Sequence, residues 1–171
     1  MCIRDREHGL SLNIEGQDAS GFYSVLSGLG GEAPSFIPNS HYGEELQYII
    51  DNDQTTTIYS EAISNAFNNG SNNASYEDSD LSNQLKTVAR LISGGLQSKV
   101  YLVKLNGFDT HNSQVQEQND IQGEHNDLLT ELNNAVDSFM DDISNQGFHD
   151  DVVGLTFSEF GRKAKENGNL G

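Results

Sequence analysis

Apolar residues fall into two kinds of pattern along this chain, and the contrast between them organises the reading. From Ser79 to Leu96, Leu81, Leu85, Val88, Ala89, Ile92 and Leu96 recur at spacings of three and four. That is one stripe on a helix, with Ser79 or Asp80 placed to cap its start and Gly94-Gly95 to loosen its end. From Glu124 to Asn145, Leu128, Leu129, Leu132, Ala135, Val136, Phe139 and Ile143 form a second and longer stripe, closed by Gly147. Asp127, Glu131, Asn134 and Asp141 mark its solvated face. The other pattern is short, β-branched and continuous. KVYLVKL (Lys99 to Leu105) and DVVGLTF (Asp151 to Phe157) read as buried strands flanking the long helix. Strand, helix, strand predicts a βαβ unit with parallel strands and a right-handed crossover. The residues just past each strand, GFDTH and SEFGR, would then share one carboxyl edge of the sheet, where open α/β sheets place ligands.

The first half is less regular. Leu10, Leu12 and Ile14 alternate with polar or small neighbours, predicting a strand within His8 to Gly16. The stretch from Gln17 to Gly43 holds both prolines and reads as loop. Short helices are expected over Glu44 to Ile50 and Thr55 to Phe67, with Asp51 to Gln54 as the break. NNGSNNASYEDS (Asn68 to Ser79) reads as the least ordered stretch. The division expected is therefore a non-native leader over 1–7, a loop-rich segment over 8–78 with a strand and short helices, and an α/β core over 79–171. Both termini look interrupted, so the chain reads as part of a longer protein.

Charge narrows the partners. Twenty-six acidic residues oppose nine basic ones, for a formal net charge of -17 over 171 residues. Such a field repels nucleic acid and anionic membrane surfaces, and an anionic substrate would need a local cation. The one cysteine excludes an intrachain disulfide and a cysteine-based metal site. No apolar run approaches the length needed for membrane insertion.

Candidate chemistry lies at the strand ends. Asp109 and His111, two residues apart, offer a carboxylate and an imidazole to a borderline divalent cation. Spacing alone favours an Asx-turn with an exposed His111 instead. His125 shifts that balance, because it lies in the first turn of the long helix in line with Leu128, Leu129 and Leu132. An imidazole at the positive end of a helix dipole is favoured in the neutral form that a metal requires; a core-capping histidine is the competing reading. Glu159 completes a set of four. Ser158 and Arg162 are the weaker catalytic candidates, as a nucleophile and an anion clamp, and a Ser cap with a first-turn Glu explains the same stretch. His8, His41 and His149 read as surface residues.

The ordered runs LSNQLKTVARLISGGLQSKVYLVKLNGFDTHNSQ, EHNDLLTELNNAVDSFMDDI and DDVVGLTFSEFGRKAKENG resemble the bacterial family called domain of unknown function 1501. The resemblance covers Leu81 to Gly171, with SLNIEG upstream matching more weakly. It implies a partial parallel-sheet sandwich of the alkaline phosphatase-like type, distantly related to the sulfatase superfamily. It also implies twin-arginine export to the periplasm or cell exterior. In that superfamily, Asp and His residues at strand ends hold divalent metals that serve ester hydrolysis. By position, Asp109, His111 and Glu159 are then the metal-site candidates, with His125 as a fourth; Zn, Mn, Mg or Ca would suit. The implied substrate is a small anionic phosphate or sulfate ester, or a surface glycan. A non-catalytic exported binding or assembly protein that keeps the fold is the alternative. The family continues into a TDHG-type motif and begins with a glycine-rich strand end bearing another Asp, neither of which is in this sequence. Asn106 stands where the family usually has glycine, which is expected to alter only the turn.

Overall fold

The computed structural model describes residues 2–4, 11–13, 34, 36–110, 112, 114–117, 121–158 and 161. Helices dominate these residues: α1 (His41–Asn69), α2 (Asp80–Ser93) and α3 (Glu124–Asn145). A short 3-10 turn follows at His149–Asp151. Strands are few and short: β1 (Cys2–Arg4), β2 (Ser11–Asn13) and β3 (Val100–Leu102). They form an antiparallel ladder in the order β2-β1-β3, with Ile3 opposite Leu12 on one side and Tyr101 on the other.

The expected α/β parallel-sheet sandwich is therefore overturned. Of the first predicted strand only Val100–Leu102 pairs, and it pairs antiparallel with β1. The second predicted strand does not form: Asp151 ends the 3-10 turn, and residues 152–157 join no ladder among the described residues. Val153, Leu155 and Phe157 are 94%, 86% and 75% exposed, so the segment is not a buried strand. β-branched composition records what a residue favours, whereas a strand exists only with a partner at hydrogen-bonding distance. The partner is the non-local part, and the apolar pattern is silent about it.

The chain divides into two compact units, Met1–Ser71 with Arg90–Leu102, and Asn72–Ala89 with Val103–Gly171. In the first, α1 is one continuous helix through Asp51 to Gln54, where a break was expected. Those four residues are polar, but none is Gly or Pro, and their propensity cost is only tenths of a kcal/mol each. Asp51 is tied in on both sides: Gln47 Nε2 donates to its Oδ1 at 2.7 Å and Thr55 Oγ1 donates to its carbonyl at 2.7 Å. Ser40 caps the start by accepting from Gly43 N–H at 3.3 Å. Apart from Gly43 in its first turn, the buried residues of α1 lie in its last third, at Ser60, Ile63 and Ala66. There Arg90 lies over the Phe67 ring, 4.1 Å from its centroid, and its Nε donates to the Phe67 carbonyl at 2.7 Å. Leu91 is fully buried in this unit, although the predicted stripe omitted it.

In the second unit the core is Leu81, Leu85, Val88 and Ala89 from α2 with Ala135, Phe139 and Ile143 from α3. Ser79 caps α2, its Oγ accepting from Ser82 N–H at 3.2 Å. The predicted α3 stripe is buried only in its second half; Leu129 and Val136 are exposed. The Asn-rich stretch expected to be least ordered is held in place by hydrogen bonds. Asn72 Nδ2 donates to the Lys86 carbonyl at 2.9 Å and to Asp142 Oδ2 at 2.8 Å. Asparagine side chains that satisfy backbone groups order a loop as well as apolar contacts do.

Candidate functional site

The chain approaches the GFDTH loop through Lys104, whose backbone is gripped by one side chain. Gln84 Oε1 accepts from Lys104 N–H at 3.0 Å, and Gln84 Nε2 donates to the Lys104 carbonyl at 2.9 Å. The amide on α2 thus takes the place of a neighbouring strand. Beyond it, the Phe108 ring meets the His125 imidazole edge to face, with centroids 5.8 Å apart and planes at 79°. This contact joins the GFDTH loop to the first turn of α3.

Gln114 makes the second tie. Its carbonyl accepts from His125 N–H at 3.2 Å, and its side-chain Oε1 accepts from the buried Thr110 hydroxyl at 3.0 Å. Gln116 N–H donates to the Gln122 carbonyl at 2.7 Å, turning the chain back toward α3. The helix cap is Gly123, at φ 137°, where a side chain would come within 2.7 Å of Val115 Cα. Only glycine accepts both the conformation and the approach. Nothing in the sequence pattern singled out Gln114 or Gly123, because their contacts are made by loop backbone and by one polar side chain, which no apolar spacing marks.

His125 Nδ1 is buried and has no hydrogen-bond partner among the described residues. A buried ring nitrogen without a partner loses its hydration and gains nothing in return, a cost of about 1–3 kcal/mol. Asp109, in the same loop as Phe108, is exposed, as is Ser158. His111, Glu159 and Arg162 lie outside the described residues, as does His8. Among the described residues no group of three or more His, Cys, Asp or Glu side chains is placed to hold a metal. His41 is exposed and its Nδ1 sits 3.5 Å from Glu44 Oε2, and His149 is exposed.

At the other end of α3 lies a cluster that sequence reasoning missed. Asp142 is fully buried. Its Oδ1 accepts from Asn73 N–H at 2.6 Å and Gln146 Nε2 at 2.5 Å; its Oδ2 accepts from Asn72 Nδ2 and the Tyr76 hydroxyl, both at 2.8 Å. Burial pushes this carboxyl's pKa up, but the four donors outweigh burial and leave it below the ordinary aspartate value. The Tyr76 phenol is raised, by burial first and then by donating to and facing that carboxylate. A signal was available: Asp142 stands three residues after Phe139 and seven after Ala135, in register with the buried stripe.

Residues 49–171, which is 123 of the 171, match the family described as Protein of unknown function (DUF1501). The chain belongs to this family. No curated protein and no solved structure matches it. The family-level resemblance of the GFDTH and SEFGR runs is thereby shown. Among the described residues no helix is long and apolar enough to cross a membrane.

Proposed function

We propose that this family member is part of an exported, divalent-metal-dependent hydrolase of phosphate or sulfate esters, remotely related to the alkaline phosphatase and sulfatase group. The metal ligands in this reading are Asp109, His111, His125 and Glu159. The observation that supports it best is the buried Nδ1 of His125, which has no partner among the described residues and is set against the GFDTH loop by Phe108 and Gln114. A Zn, Mn, Mg or Ca ion there would supply a Lewis acid and neutralise an anionic ester. The need for it is plain from a net charge of -17, which repels such an ester until a cation offsets it locally. The chain's own residues hold the imidazole in place and, through Arg162, offer a bidentate grip on an anion.

The test is metal content of the purified protein after loading with zinc or manganese, for wild type and for Asp109→Ala, His111→Ala and His125→Ala. Bound metal is expected in the wild type and is expected to fall in each variant, together with hydrolysis of 4-nitrophenyl phosphate or sulfate. Equal metal content in all four proteins would sink the reading.

A second reading, an exported binding or assembly protein without catalysis, draws on the exposed row Val153, Leu155 and Phe157. Alternate apolar residues on an extended segment suit strand addition by a partner. Metal binding without turnover of either ester would favour it.

A further inference from the structure

The chain contains three Asn-Gly pairs, Asn69-Gly70, Asn106-Gly107 and Asn167-Gly168, the last outside the described residues. Asn-Gly is the dipeptide in which a backbone nitrogen most easily reaches the preceding side-chain amide, because glycine puts no Cβ in the way. The structure treats the first two pairs in opposite ways. Gly70 is buried at the end of α1, its N–H donates to the Ala66 carbonyl at 2.8 Å, and its Cα is packed against the Arg90 carbonyl. The nitrogen that would attack Asn69 is therefore occupied, with Asn69 the last residue of the helix and Gly70 its cap. Asn106 and Gly107 are both exposed, and among the described residues the Gly107 N–H makes no hydrogen bond. Gly107 also stands at φ 102°, outside any helix or ladder that would restrain the pair.

We propose that Asn106 is a site of spontaneous modification, converting to isoaspartate and aspartate while Asn69 is protected. The Gly107 nitrogen attacks Cγ of Asn106 and a C–N bond forms. The side-chain amide nitrogen leaves as ammonia, carrying the proton that the Gly107 nitrogen loses, and a succinimide remains. Water then adds to either ring carbonyl and one C–N bond breaks. Opening at the α-carbonyl routes the main chain through Cγ and gives isoaspartate; opening at Cγ gives aspartate. Water is the only co-reactant.

The position gives the change its consequence. Isoaspartate adds a backbone carbon and a negative charge directly ahead of Gly107-Phe108-Asp109. A Cβ on Gly107 would lie 3.2 Å from Leu128 Cδ2, so this turn packs against the first turns of α3. The added length enters two residues ahead of Phe108, the residue that meets the His125 ring.

The experiment incubates the folded chain at mildly alkaline pH and follows each Asn-Gly peptide by mass spectrometry, with isoaspartyl methyltransferase labelling to mark the isomer. Asn106 is expected to convert roughly tenfold faster than Asn69 in the folded chain, because Asn69 reacts only when the α1 cap opens locally. In strong urea the two rates converge, since both asparagines precede glycine. Asn106→Gln removes the label at that position and leaves the slow conversion of Asn69 unchanged. Equal rates in the folded chain, or absence of isoaspartate at position 106, overturns the proposal.

Discussion

The two ends of α3 answer the same physical problem in opposite ways. Each carries a polar side chain in partly or fully buried surroundings. At the carboxyl end, Asp142 receives four hydrogen bonds from Asn72, Asn73, Tyr76 and Gln146. At the amino end, His125 has a buried nitrogen with none among the described residues. The carboxyl end also closes its own helix: Gly147 N–H donates to the Ser144 carbonyl and Phe148 N–H to the Ile143 carbonyl, both near 3 Å. The amino end has no side-chain cap, and Gly123 stands at its start. Buried polar groups are costly unless satisfied, and among the described residues the Asp142 carboxylate has its donors whereas His125 Nδ1 has no partner. The same helix therefore divides into a structural half and a candidate ligand-binding half.

The largest effect should come from removing the carboxylate that completes the structural half. Asp142→Ala leaves the four donors without an acceptor in a buried place, and is expected to lower unfolding free energy by about 3–5 kcal/mol. Urea unfolding followed by circular dichroism measures this. A loss below about 1 kcal/mol would show the cluster to be looser than its distances imply.

The same carboxylate sets an acid limit. Its folded pKa lies below the ordinary, unfolded value, so its contribution is fully present above the unfolded value. As pH falls from there through the folded value, the unfolded chain takes up the proton more readily and that contribution is lost. Wild type is therefore expected to lose stability in this acid window, whereas Asp142→Asn, less stable at neutral pH, should show a flatter acid slope. Parallel slopes in the two proteins would assign the acid response to other carboxylates.

A smaller effect tests whether the carboxyl end depends on its turn as well as on Asp142. Gly147 has φ 82° and open space where a Cβ would sit, so Gly147→Ala introduces no clash and only a strained backbone. The expected loss is about 1–2 kcal/mol. A neutral substitution would mean that the turn relaxes, and that the satisfied carboxylate alone holds this end.

Legibility in the sequence followed the range of the interaction. Stripes at three- and four-residue spacing located α2 and α3, since a helix makes its hydrogen bonds within itself. The serine cap at Ser79 and the glycine stop at Gly147 were readable for the same reason. The strands were not. Lys99 to Leu105 and Asp151 to Phe157 have strand composition, yet one pairs over three residues with a segment near position 3 and the other with no described residue. In the candidate site, GFDTH and His125 were placed together at the edge of a parallel sheet that does not form, and the contact that joins them is between the Phe108 and His125 rings. Gln114, whose two bonds fix that neighbourhood, was invisible because a glutamine in a polar loop resembles every other one.

The smallest expected change is the most informative about the unfinished half. His125→Leu keeps an apolar body beside Phe108 and removes the unpartnered nitrogen. Replacing a buried unsatisfied polar atom with a hydrocarbon of similar bulk is neutral to stabilising, so metal-free stability should stay constant or rise by up to about 1 kcal/mol. In the same variant, any rise in melting temperature that zinc gives the wild type should vanish, since a ligand stabilises only the state that binds it. The two readouts separate the alternatives. A metal-free loss above about 2 kcal/mol would mean that the imidazole is already a satisfied structural group. The contrast between the two ends of α3 would then be one of degree, and the metal assignment would lose its main support. Unchanged metal-free stability with the zinc response abolished would place the missing partner of Nδ1 outside the protein.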